Sequence, residues 1–122
     1  MAIAIIPIYS SRGDAEAFLA FPHLFNRAGE WIGFITPERD VYSVLGYYVG
    51  TLTGDPRIIR KRSAEFKPCV KPPAAPAPLR ISAVIPLPKM MGDISQENID
   101  VLQEEPDRLH TLDSGELRQD LN

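Results

Sequence analysis

The chain has 122 residues, a formal net charge of −3 and twelve prolines, which favours one domain and gives no strong field toward nucleic acid or a membrane surface. Its single cysteine, Cys69, excludes an internal disulfide and leaves no paired-cysteine metal pattern. A reducing, cytoplasmic setting is the expectation that follows.

The opening MAIAIIPIY is apolar, but it lacks a basic leader region and a cleavage site, and Pro7 interrupts it. It reads as an edge strand, and as neither signal nor anchor. The stretch from Leu24 to Arg62 then says nearly the same thing twice. Leu24 to Glu38 overlies Val41 to Asp55 at an offset of seventeen without a gap, matching Phe25 to Tyr42, Gly29 to Gly46, Trp31 to Tyr48 and Gly33 to Gly50. An earlier copy is anchored by Tyr9, Gly13 and Ala17, at a spacing of sixteen. A fourth copy can be argued from Ile58-Ile59, with Ser63 where the turn glycine would stand. Three copies are thus clear, and the fourth is the weaker one.

Each unit translates into a hairpin. In Asn26-Arg27-Ala28-Gly29 the glycine sits where a three-residue loop needs positive φ, and Gly46 does the same after Ser43-Val44-Leu45. Alternation along Trp31 to Ile35 puts Trp31, Gly33 and Ile35 on one face and Ile32 and Phe34 on the other, so this strand should be buried on both sides. Gly33 and Gly50 lie inside strands and call for a close neighbour, for which an aromatic ring is the expectation. The fold class predicted is all-β: short glycine-turn hairpins in a compact meander or flower, followed by a proline-rich arm and an acidic tail.

Composition sets the boundaries. Seven prolines fall between Pro68 and Pro88, dividing a β-repeat module (1–67) from a proline-rich apolar arm (68–91). In the arm, Leu79 to Ile85 has a strand-like pattern. Residues 89–122 hold three Lys or Arg against nine Asp or Glu, and residues 92–122 read as an acidic tail, disordered or weakly helical, with a short helix between Asp93 and Glu105. A module of this size has little core of its own. A further layer should come from a second subunit, making a homo-oligomer, or from the chain's own proline-rich arm, and an unidentified protein partner is compatible with the exposed aromatics.

The aromatic, the glycine four later and the glycine four after that, as in Phe25, Gly29, Gly33 and in Tyr42, Gly46, Gly50, resemble the repeat of small bacterial proteins described as having a four-fold β-flower domain. That resemblance implies four short β units about a pseudo-four-fold axis, and carries no catalytic residues with it. A weaker similarity, to PRC-barrel domains, rests on Gly46-Tyr47-Tyr48-Val49-Gly50.

Searched for chemistry, the sequence offers little. His23 and His110 are far apart, Cys69 has no neighbouring histidine, and no glycine-rich phosphate loop opens onto a helix. No catalytic residue, cofactor or metal site is predicted. The one charged constellation is Arg57, Arg60, Lys61 and Arg62. It reads as the charged protection of an edge strand, as a contact for the acidic tail, or as an anion site. Trp31 and Tyr48 are the candidate stacking surfaces beside Arg57, Arg60 and Arg62. The preferred function is a non-enzymatic interaction or assembly module; a nucleic-acid or other anion binder through Arg57 to Arg62 is the alternative, and an enzyme comes last.

Overall fold

The computed structural model describes residues 4–63, 67–88 and 90–112. Eight antiparallel strands lie in one sheet in chain order, and the sheet curls into a half-barrel. They are β1 (Ile6–Tyr9), β2 (Ala15–Ala20), β3 (His23–Phe25), β4 (Trp31–Ile35), β5 (Asp40–Ser43), β6 (Tyr48–Leu52), β7 (Ile58–Lys61) and β8 (Asn98–Asp100). A single helical turn, α1 (Val101–Glu104), and a 3-10 turn at Pro106–Arg108 follow. Paired in order, the strands make four hairpins.

The first three hairpins are built alike because their turns are. Gly13, Gly29 and Gly46 sit at φ of 91°, 82° and 89°. The Gly29 N–H donates to the Asn26 carbonyl at 3.0 Å and the Asn26 N–H to that of Glu30 at 2.9 Å; Gly46 and Ser43 repeat the pattern at 2.9 and 2.8 Å. Beyond each turn the register slips by one residue, passing over Glu16, Ile32 and Val49 in the second strands. Such bulges bend a strand and add twist, and three at equivalent places curl the sheet.

The bulge overrides the alternation expected for β4. Ile32 and Ile35 both join the main core, while Trp31 packs with Phe25 and Val44, and Phe34 with Tyr42 and Tyr48. The expectation that this strand is apolar on both sides is met, since all five of its residues are buried. In the main core the equivalent residues Ile8, Leu24, Val41 and Ile58 are each 0% exposed, one from the first strand of every hairpin, and Val101, Leu102 and Leu109 close over them.

The strand glycines differ from expectation in what covers them. The nearest atoms to Gly33 are backbone and a leucine methyl, not an aromatic ring. A Cβ there would stand 2.4 Å from the Tyr42 carbonyl oxygen and 2.9 Å from a Leu109 methyl; at Gly50 it would meet the Ile59 carbonyl oxygen at 2.9 Å. Neighbouring backbone, not a ring, requires these glycines.

The fourth hairpin is real and split. Its first strand is β7, its second is β8, and residues 62–97 lie between them where the other units have a tight turn. Two expectations are therefore corrected. Residues 98–104 belong to the sheet and its core, not to an acidic tail, because Ile99, Val101 and Leu102 have apolar surface to bury there. The helix expected from Asp93 to Glu105 shrinks to α1, whose N-cap Asp100 accepts from the Gln103 N–H. The expected fate of residues 113–122 lies outside the described residues.

The inserted arm returns around the turns in reverse order. The Val70 N–H donates to the Gly46 carbonyl and the Leu79 N–H to the Gly29 carbonyl, both at 2.9 Å, and Pro88 lies against Gly13. The contacts fall at residues 70, 79 and 88, nine apart. No strand forms in residues 67–88, so the strand-like pattern of Leu79 to Ile85 serves packing: Ile81, Ile85 and Met91 cover Tyr9, Ala15 and Phe18, and Leu79 covers Phe25 and Trp31.

The turn glycines carry the arm as well as the turns. A Cβ at Gly29 would fall 1.8 Å from the Leu79 carbonyl oxygen, and one at Gly46 would fall 2.0 Å from that of Val70. Adding the strain of positive φ and a lost hydrogen bond, Gly29→Ala and Gly46→Ala should each lower stability by more than about 2 kcal/mol in urea denaturation. Hydrogen exchange should speed up at Leu79 in the first and at Val70 in the second. Gly54→Ala, with nothing within 4 Å of the added carbon, should be nearly silent.

Candidate functional site

The two ends of the sheet are joined by side chains. At the start, the Ser11 N–H and hydroxyl both donate to Asp100 Oδ2, each at 2.6 Å. Just before β7, Arg57 Nη1 donates to Ser11 Oγ at 3.0 Å, and its Nη2 reaches Asp55 Oδ2 at 2.6 Å and the Gly92 carbonyl at 2.7 Å. Thr53 Oγ1 donates to Asp55 Oδ1 at 2.5 Å, and the Gly92 N–H also points to Asp55. The Tyr9 N–H adds a main-chain bond to the Pro56 carbonyl at 3.0 Å. Above this seam is an open polar pocket of about 400 Å³, bordered by Ser11, Arg57, Arg62, Asn98 and Glu104.

The predicted binding residues do not converge. Arg57 is only 5% exposed and is spent on the seam. Arg60 forms an ion pair with Glu105, and Arg62 lies 3.5 Å from Glu104 while its Nε donates to the Gln96 carbonyl. β7 has neighbours on both sides, so its charges do not guard an edge; the edges are β1 and β8. Trp31 and Tyr48 are each 9% exposed and offer no free face for stacking. Trp31 stands edge-on to His23, whose imidazole burial holds below its ordinary pKa. Tyr48 lies under Lys67, whose Nζ is 4.8 Å from the ring centroid and 3.1 Å from Asp40.

What the sequence reading missed is the outward side of the arm. Val84, Leu87 and Met90 are 85%, 90% and 98% exposed, at a spacing of three, while Ile81, Ile85 and Met91 of the same segment pack partly buried on the sheet. Beside this row, Ile5, Pro7, Val84 and Ile85 wall a cleft of about 160 Å³ with Phe18 in its lining. The nine-residue recurrence of an apolar or proline residue followed by a basic one, Val70-Lys71, Leu79-Arg80 and Pro88-Lys89, was the available signal that this arm has fixed seats.

With the geometry in view, the comparisons are informative about the fold. A family model described as "4-fold beta flower protein" matches residues 6–91. The chain belongs to this family. The match to the β-flower model runs past β7 to the end of the arm, so the arm is part of what the family shares; β8, which completes the sheet, lies beyond it. No curated protein and no solved structure matches the chain.

Chemically, the seam of this β-flower is saturated rather than reactive. Both seam carboxyl groups accept several donors, and among the described residues no group of three His, Cys, Asp or Glu could hold a metal ion. Nor is any helix among them long and apolar enough to cross a membrane. The Arg57 guanidinium, followed by Thr53 and the Gly92 N–H, holds the Asp55 carboxyl down at about 2, against an ordinary 3.8 and despite partial burial. Because this folded pKa is depressed, the stabilisation is complete above about pH 4 and is lost as pH falls toward 2. The expected size is about 2 kcal/mol. Asp55→Asn should therefore lower stability by about that amount at neutral pH and flatten the acid limb of a stability-pH profile.

Proposed function

We propose that this β-flower protein is a non-enzymatic interaction and assembly module, in which the four-hairpin sheet is a scaffold and the proline-rich arm is what it displays. The observation that carries this reading is the row Val84, Leu87 and Met90, almost wholly exposed on a segment whose Ile81, Ile85 and Met91 are partly buried against the sheet. An exposed contiguous apolar surface on a soluble domain marks a contact for another molecule. The row is also held in place: the Tyr9 hydroxyl donates to the Pro86 carbonyl at 2.6 Å, and the Gly92 carbonyl is bound by Arg57. A partner would therefore incur little ordering entropy on this side. The anion-binding alternative draws little support, because Arg57, Arg60 and Arg62 each have an internal partner.

A photo-crosslinking side chain placed at Leu87 or Val84, with Gly54 as the exposed comparison site, tests the reading in cells that make the protein. Protein adducts should form from positions 84 and 87 and be absent or several-fold weaker from 54. Equal, background-level yields at all three positions would count against an interaction role for the arm.

A further inference from the structure

The exposed row and the apolar cleft lie side by side, and together they have the form of a knob beside a hole. We propose that the occupant of this face is a second copy of the chain, related by a two-fold axis, with Leu87 of each copy seated in the cleft of the other. The proposal rests on the interaction-module reading and names its partner.

Three observations favour a second copy. First, the cleft of about 160 Å³ is bordered by Ile5, Pro7, Val84 and Ile85, with Phe18 in its lining, and apolar cavities of about that size hold a benzene-sized group. A leucine side chain is of that order. Second, knob and hole belong to one continuous patch: Val84 and Pro86 line the cleft, and Leu87, 90% exposed, follows directly. A surface that carries both halves of a contact is self-complementary, which is what a two-fold interface requires, since each residue meets its counterpart twice. Third, the centre of the patch is uncharged. From Ile81 to Pro88 the sequence contains no ionisable side chain, and the flanking charges Arg80 and Lys89 stand outside it. Two copies therefore meet without burying a charge, the arrangement found at the cores of homodimer interfaces.

The edge strand supports the same geometry. Among the described residues β1 pairs only with β2; Ile5 before it and Ile6, its first residue, are 41% and 45% exposed, and Pro7 removes one of its donors. An added strand is thereby disfavoured, leaving side chains to make the contact.

The experiment is sedimentation of the full chain, wild type and variants, at about 50 μM, where a micromolar dimer is nearly fully formed. Wild type should sediment as a dimer. Leu87→Glu, which removes a side chain already exposed, and Ile5→Lys at the cleft wall should each give monomers with unchanged thermal melts, because a charge forced against an apolar pocket weakens each of the two symmetric contacts by at least about 30-fold and the dimer by about 1,000-fold. Leu87→Met should keep the dimer. The decisive arm is mixing: an equimolar mixture of Leu87→Glu and Ile5→Lys should recover a dimer, because one contact becomes Glu against Lys and the other is wild type. A monomeric wild type overturns the proposal, as does a dimer that both variants leave intact. If the wild type is monomeric while position 87 crosslinks to a different protein or the chain binds vesicles, this partner is wrong; the interaction-module reading then stands in the first case and is reopened in the second.

Discussion

The absence of a Cβ at the hairpin turns is the constraint on which the rest of this molecule depends. At Gly29 and Gly46 it permits the positive φ that closes a three-residue loop. It also leaves room for a second strip of backbone to lie against the turn, with the Leu79 and Val70 carbonyl oxygens where a side chain would otherwise be. Each glycine carbonyl then accepts an N–H from the arm. The same missing atom thus shapes the hairpin, seats the arm and fixes the arm's direction of travel. Once the arm is seated, its side chains cover the aromatic clusters that the curled sheet leaves on its outer side, and its far end delivers β8 to the open edge of β7.

Closure of the half-barrel is a matter of side chains because the ladder does not complete itself. Ser11, after β1, is bound by Asp100 of β8 and by Arg57 before β7, with Arg57 drawing in Asp55 and the arm at Gly92. A buried guanidinium is costly unless its donors are met, and here three acceptors, on Ser11, Asp55 and Gly92, take up its two terminal nitrogens, while Arg57 Nε has no partner among the described residues. The network joins the first hairpin, the loop before β7, the arm and β8 at one place. The Asp55 carboxyl, which braces Arg57, thereby couples acid sensitivity to one of the contacts that close the sheet.

The contrast between covered and uncovered apolar groups bears on function. Phe18, Phe25 and Trp31 are buried with arm residues packed against their clusters, so these rings hold the arm. The arm leaves Val84, Leu87 and Met90 outside. Presentation of a fixed apolar row by a segment that would otherwise behave as a flexible, proline-rich linker lowers the entropy lost in an encounter.

The sequence by itself determined the repeat, and through it the hairpins, their turn type and the positions of the turn glycines, because these depend on local rules: the spacing of aromatic to glycine, and the φ that only glycine adopts cheaply. The doubly buried strand β4 was legible for the same reason. Tertiary structure decided the remainder. Whether Ile58-Ile59 had a partner could not be read from neighbouring residues, since β8 follows the intervening residues 62–97, and pairing across such a distance leaves no local pattern. The faces of β4 depended on a bulge that one residue can shift. Gly33 and Gly50 signalled a close approach, but only the fold identified the neighbour as backbone. Arg57 looked like surface charge and became a buried strut, because its acceptors on Ser11, Asp55 and Gly92 are brought together only when the sheet curls and the arm returns.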